Sequence, residues 1–320
     1  MSPLVPSSND PLPLAQMADF HRDLVAELLA DKRNSNTRHA YEKDLRDFFR
    51  SMGRELEPES IAQFLSLSQY QAVALVLRYK SQLFDRDLKE STVNRRLAAI
   101  KSLVKYARKV GKCSYSLEDI KGEKVVRYRD TTGISREAYR VVLAGCDRNS
   151  VAGKRDYALL RLLWDNALRR GEVAKANVRD FDPSNRTLKI FGKGKGTQVE
   201  VIDLSKPTTE ALLDWLATRN VKADAPLFCS LDPVHSGHRL TGESIRRIVV
   251  SYCQKAGVDK QMSPHRVRHS SITAALDATD GNVRKVQKLS RHANLQTLLV
   301  YDDNRQKLQM EITELLAEMV

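Results

Sequence analysis

The side chains best suited to chemistry stand near the end of the chain. Leu289–Asp303 reads Leu-Ser-Arg-His-Ala-Asn-Leu-Gln-Thr-Leu-Leu-Val-Tyr-Asp-Asp, placing Tyr301 nine residues after His292. A tyrosine phenol can attack phosphorus when other groups hold the phosphate and neutralise its charge. Candidates for that task lie upstream. In Ser263-Pro264-His265-Arg266-Val267-Arg268-His269 a serine at the N-cap and a proline at the first helical position start a helix. His265, Arg268 and His269 then share one face of its first turns, close to unbonded helix N–H groups. Two imidazoles, a guanidinium and a helix N-terminus converging on one point form an anion site. Either histidine alone reads as a structural core residue.

Two shorter motifs add to this set. In Ala167-Leu168-Arg169-Arg170-Gly171-Glu172 the three-residue spacing puts Arg169 and Glu172 on one helix face, where they can pair. A fixed arginine fork clamps phosphate well, although an isolated Arg-x-x-Glu is most often a surface salt bridge. Gly192-Lys193-Gly194 is a turn whose glycines let the backbone approach a ligand closely while the lysine enters a phosphate site. Standing alone, such a lysine is an ordinary soluble turn.

Composition points the same way. The chain has 320 residues, 53 of them Lys or Arg against 40 Asp or Glu, for a net charge of +13. That excess favours a polyanionic partner, most simply nucleic acid, over a merely solvated basic surface. No apolar run is long enough to span a bilayer, and the N-terminus carries no signal pattern. Cys113, Cys146, Cys229 and Cys253 lie far apart without metal-ligand spacing and read as reduced cytosolic thiols. A cytoplasmic, nucleoid-associated protein is expected.

The elements that must position these groups follow from periodicity. Residues 1–13, with four prolines, read as a disordered lead. Residues 14–112 read as a helical domain, with Ser35 as an N-cap, a helix ended by Gly53, helices from Pro58 and Gln69, and a long one over Ser91–Val110. Eight basic residues and one acid lie between Lys89 and Lys112. The apolar stripe Leu97, Ile100, Leu103, Val104 and Ala107 turns Arg95, Arg96, Lys101 and Lys105 outward, toward a DNA backbone. Asn94 lies where it can approach base edges. Residues 113–132 read as a basic interdomain linker whose Arg127 and Arg129 cross DNA. Short strands are expected at Val178–Phe181, Arg186–Phe191 and Gln198–Leu204, then helices at Thr209–Arg219, Glu243–Ala256, Pro264–Leu276, Asn282–Leu289 and Asn294–Asp303. The expected fold is mainly α with a small antiparallel β-sheet. An amphipathic helix over Arg305–Val320 ends the chain, with Leu308, Ile312, Leu315, Leu316 and Met319 on one face.

Taken in order, the Arg169, Lys193, His265–His269 and His292–Tyr301 motifs resemble the tyrosine site-specific recombinase family, which includes Cre, Xer and the phage integrases. Ser91-Thr92-Val93-Asn94-Arg95-Arg96-Leu97 is similar to part of the family's helical core-binding domain. Two positions depart from the family pattern: Ser290-Arg291 stands where Leu-Gly is common, and Leu298 replaces a usual threonine. Arg291 is expected to add charge next to the site and to contact a neighbouring phosphate.

The resemblance implies a two-domain DNA clamp, with a core-binding domain over 14–112, a linker over 113–132, an α+β catalytic domain over 133–303 and an exchange helix over 304–320. It implies that Tyr301 forms a 3′-phosphotyrosyl link on double-stranded DNA and that Arg169, Arg268, His265 and His292 stabilise the transition state. Lys193 becomes the general acid, with Lys195 a less favoured substitute, while Glu172 and His269 orient the site. No cofactor and no metal are called for, since arginines and a lysine take the metal's place. The terminal helix is expected to link protomers of a homotetramer. The rival readings are a type IB topoisomerase and a catalytically silent DNA-binding accessory protein.

Overall fold

The computed structural model describes residues 23–125, 133–192 and 199–292, then 294, 295, 298, 299 and 308–319. The expected disordered lead over 1–13 lies outside them. The chain divides into two compact units, Met1–Val126 and Arg127–Val320.

The first unit is helical: α1 (Leu24–Ala30), α2 (Ser35–Ser51), α3 (Pro58–Leu65), α4 (Gln69–Asp85) and α5 (Glu90–Lys109). Asn34, rather than Ser35, caps α2, its side chain accepting from the Asn36 N–H at 2.9 Å. Gly53, at φ +69°, follows the end of α2, where a left-handed residue stops a helix. The core gathers Phe48, Phe49, Phe64 and Tyr79, with Phe48 edge-on to Phe64 and Tyr79 at 5.2 and 5.1 Å. The apolar stripe expected on α5 is buried there.

Arg96 corrects the expectation of an outward basic face. It is 8% exposed. Its guanidinium binds Asp47 and the Tyr79 hydroxyl, with Asp44 at 4.0 Å. Asp47 also accepts two bonds from Arg86, at 3.0 and 3.1 Å, and one from Tyr79 at 2.7 Å. Two carboxylates from α2 thus draw the arginine inward, because a charge can be buried where it is paired and hydrogen-bonded. Burial raises the Asp44 carboxyl above its usual range, while Arg95 and Arg96 oppose that rise. Arg95 and Lys105 remain exposed, Arg95 bound to Asp44, and Lys101 binds the Ile120 carbonyl.

The segment expected to be linker also differs. Tyr115, Leu117 and Ile120 are buried in the first unit's core, and the Tyr115 hydroxyl donates to the Phe64 carbonyl at 2.8 Å. Asn94 fastens the segment's far end. Its amide donates to the Glu123 carbonyl at 2.8 Å and accepts from the Glu123 N–H at 2.6 Å. Gly122 makes that approach possible, since a Cβ there would meet Asn94 Oδ1 at 2.5 Å. Asn94 is therefore a clamp on its own chain instead of a side chain held out to base edges. Arg127 and Arg129 lie outside the described residues.

The second unit contains α6 (Arg136–Ala144), α7 (Val151–Asp165), α8 (Arg170–Lys175), a three-stranded sheet, α9 (Lys206–Leu216), α10 (Gly242–Lys255), α11 (Pro264–Asp277), α12 (Val283–Ser290) and α13 (Leu308–Glu318). The sheet is antiparallel in the order β1 (Phe181–Asp182), β2 (Thr187–Phe191), β3 (Val199–Asp203), with Leu188 opposite Ile202. The strand expected over Val178–Phe181 is mostly a 3-10 turn, because the Asp180 side chain accepts from the Asn177 N–H at 2.8 Å and tightens it. Inward-facing Leu188 and Ile190 join Leu159, Leu163, Trp215, Phe228 and Val267 in the main core. A smaller apolar cluster of Ala167, Ile272, Leu276, Val286 and Leu298 holds α11 and α12 against the connection between α7 and α8. Leu298, the departure three residues before Tyr301, is fully buried in it. No single described helix is long and apolar enough to cross a membrane.

Candidate active site

Three chain segments meet in the second unit: the α7–α8 connection, the first turns of α11 and the C-terminal turn of α12. The connection turns sharply because Ala167 takes the left-handed conformation, φ +45°, with its side chain fully buried. Arg169 then caps α8. The Arg-x-x-Glu spacing works here as a capping box, with Glu172 Oε2 accepting the Arg169 N–H at 2.8 Å and Oε1 accepting from the Arg169 guanidinium at 2.7 Å. Glu172 is 3% exposed, so the pair is no surface salt bridge.

Ser263 caps α11 by accepting from the Arg266 N–H at 3.2 Å, and Pro264 occupies the first turn. His265 and His269, four residues apart, meet ring to ring at 4.1 Å with their Nε2 atoms 2.8 Å apart. One of these nitrogens must donate and the other accept, so the contact fixes complementary tautomers. His265 is exposed and His269 buried, which makes His265 the one that can reach a ligand. Arg268 is 1% exposed and donates to the Ala167 and Ser290 carbonyls. One of its terminal nitrogens lies 3.4 Å from His292 Nε2. Through these bonds Arg268 joins all three segments.

The third segment contains the main surprise. Arg291 ends α12 in the left-handed conformation, φ +54° and ψ +37°. Sequence reading aimed it at a neighbouring phosphate. Instead its side chain is 5% exposed and turns inward, donating to Glu172 Oε2 at 3.1 Å and to the Leu289 and Asn166 carbonyls at 2.7 and 3.1 Å. The inward turn follows from Glu172, the buried carboxylate that it reaches. Burial pushes the Glu172 carboxyl up, but the Arg291 charge, the Arg169 N–H and the Arg169 guanidinium more than reverse this and hold it below the usual carboxylate range. Burial likewise lowers the Arg291 guanidinium, against the pull of Glu172. The sequence signal for this role was the position itself, since a helix C-terminus of this geometry usually takes glycine.

Six of the eight candidate catalytic and supporting residues are thus brought together: Arg169, Glu172, His265, Arg268, His269 and His292. Lys193, in the β2–β3 connection, and Tyr301 lie outside the described residues, as does Lys195. Beside His292 an open cleft of about 600 Å³ is lined by Glu200, Arg284, Gln287, Lys288 and Arg291. Two guanidinia, from Arg169 and Arg291, hold one buried carboxylate, and Arg268 adds a third beside His292, so that the excess of positive charge suits an anion. Among the described residues no cluster of three or more His, Cys, Asp or Glu side chains is arranged to hold a metal ion.

Comparison with known proteins matches this arrangement to a family. The profile of the phage integrase family matches residues 134–307, and that of the phage integrase N-terminal SAM-like domain matches residues 23–111. Tyrosine recombinase slr0733 of Synechocystis sp. is 52% identical over 307 residues, covering 95% of this chain and 97% of that protein. Tyrosine recombinase Synpcc7942_B2651 of Synechococcus elongatus is 49% identical over 300 residues, covering 93% and 94%. The fold is shared with the XerH site-specific recombinase bound to a palindromic difH substrate, at TM-score 0.62 and 18% identity, over 92% of this chain and 95% of that one. It is shared also with a lambda integrase dimer bound to a COC′ core site, at TM-score 0.62 and 12% identity, over 89% and 96%. The chain belongs to the phage integrase family of tyrosine recombinases, enzymes that break and rejoin DNA.

Proposed function

We propose that this protein is a site-specific DNA recombinase that cuts and reseals double-stranded DNA through a 3′-phosphotyrosyl intermediate, working as a homotetramer on two core sites. The observation that carries the proposal is that the segments bearing Arg169, His265, Arg268 and His292 meet, with Arg268 bonded to the Ala167 and Ser290 carbonyls and lying beside His292, and Arg169 fixed by a buried, arginine-bound Glu172.

In this reading the Tyr301 phenolate oxygen attacks the scissile phosphorus as the bond to the 5′ oxygen breaks. Lys193 gives that oxygen its proton, and the product strand ends in a 5′-hydroxyl. The phosphodiester energy is kept in the protein–DNA bond, so rejoining needs no nucleotide cofactor. Arg169 and Arg268 neutralise charge growing on the non-bridging oxygens. The exposed His265 takes the phenol proton, held in one tautomer by His269 behind it. Arg95 and Lys105 on α5 stand exposed and supply backbone contacts from the first unit, and Arg127 and Arg129 are proposed to extend them.

The test begins with the duplex that the protein selects from a randomised library, nicked beside the scissile phosphate so that the cut strand diffuses away. Wild type should accumulate a covalent protein–DNA adduct and Tyr301→Phe should form none. An adduct of undiminished yield in Tyr301→Phe removes the nucleophile assignment. Exchange between two duplex sites separates recombination from simple strand relaxation.

A further inference from the structure

We propose that Arg291 is a positioning residue that locks the segment bearing Arg169 to the segment bearing His292. The inference rests on the reading of this cluster as a phosphate site, and it gives a role to a side chain outside the catalytic set.

The backbone gives the first reason. Arg291 adopts φ +54°, a conformation that glycine enters without strain and that other residues enter at a cost. A long charged side chain kept in such a place must make contacts that offset the strain. Its contacts are specific. One terminal nitrogen binds Glu172 Oε2, the other binds the carbonyls of Asn166 and Leu289, and the residue's own carbonyl lies 3.5 Å from an Arg169 terminal nitrogen. Side chain and main chain of one residue therefore tie the α7–α8 connection to the end of α12.

The carboxylate between them gives the second reason. Arg169 takes Oε1 of Glu172, while Oε2 is shared by the Arg169 N–H and Arg291. Gripped on both oxygens, Glu172 cannot swing, and Arg169 is held in one fork geometry before any phosphate arrives. A lysine cannot repeat this, because one ammonium lacks the planar fork that spans a carboxylate and two carbonyls on separate segments. The guanidinium is also turned away from solvent, so it is not offered to DNA as a surface cation.

The experiment uses full-length protein and the nicked duplex, comparing wild type, Arg291→Gly and Arg291→Lys. Glycine suits the left-handed backbone, so Arg291→Gly is expected to fold. It should bind the duplex with unchanged affinity and form covalent adduct on the order of 10- to 100-fold more slowly, the scale produced by a small displacement of a clamping group. Arg291→Lys, with the charge restored and the fork missing, should remain slow. The proposal is overturned if Arg291→Gly forms adduct at the wild-type rate, if lysine restores the rate in full, or if the rate falls only in step with DNA affinity. These comparisons are read on total adduct, whichever side chain is attached. Tyr301→Phe, run alongside, reports on the nucleophile separately.

Discussion

Spacing pairs Glu172 with Arg169, but neither charge counting nor spacing reveals its second partner, Arg291. The Glu172 side chain is buried between two arginines that come from points 122 residues apart in sequence. Glu172→Gln keeps the size and an oxygen to accept the Arg169 N–H, but it leaves the buried Arg291 without a carboxylate. The expected loss is about 3 kcal/mol, the scale for breaking one side of a buried pair. The pH dependence has a definite sign. The folded-state carboxyl sits below its usual range, so its stabilisation is complete above the unfolded carboxylate range and fades as pH falls through the lower folded value. The gap between wild type and variant should be full at neutral pH and narrow below about pH 4. Denaturant unfolding across that range checks this, and a gap independent of pH would falsify the ion-pair account. The same lesson applies to Arg96. Its type and helical face suggested solvent and phosphate, whereas the carboxylates that bury it stand on α2, about 50 residues earlier in the chain. Local pattern carries no information about a partner that distant.

At the scale of elements, what was legible was whatever a short stretch decides by itself. Ser263 was readable as a helix start because a hydroxyl followed by a proline is local chemistry, and it caps as expected, just as Ser135 caps α6. The β2–β3 hairpin was readable from two alternating runs around a glycine-rich turn. The strand expected at 178–181 failed because Asp180 caps a tight turn there. The segment 113–125 failed because Tyr115, Leu117 and Ile120 dock without any helical or strand period. These caps allow a test of whether α11 positions the site. Ser263→Ala and Ser135→Ala each remove one side-chain bond to a helix N-terminus, at 3.2 and 3.1 Å, and each should cost about 1 kcal/mol. For a unit of this size the melting temperature should fall roughly 2–4 °C in both. Only Ser263→Ala loosens the turn that carries His265, so only it should also slow adduct formation. Equal rates in the two variants would mean that the cap serves stability alone.

At the scale of the whole molecule, the proposed function requires copies of the chain to act together. The last named helix, Leu308–Glu318, presents Leu315 and Leu316 at 53 and 57% exposure, and Met319, just beyond its end, is 73% exposed. Three large apolar side chains grouped at a terminal helix are an unfavourable surface for an isolated chain and a ready one for association. Under the proposed function that surface docks on the neighbouring protomer, and its attachment just after Tyr301 would let assembly influence the nucleophile. Removing residues 306–320 leaves the residues proposed for chemistry and both compact cores in place. The truncated protein should therefore bind a single-site duplex as wild type does, because those contacts come from the basic surfaces of one chain. It should fail to pair two sites, since each docking lost in a closed ring removes one of its repeated interfaces. Sedimentation velocity on one-site and two-site duplexes distinguishes the two effects. Tetramers of normal stability from the truncated protein would show that the helix serves its own unit instead. A loss of single-site binding would show that the tail belongs to the DNA-binding surface and not to assembly.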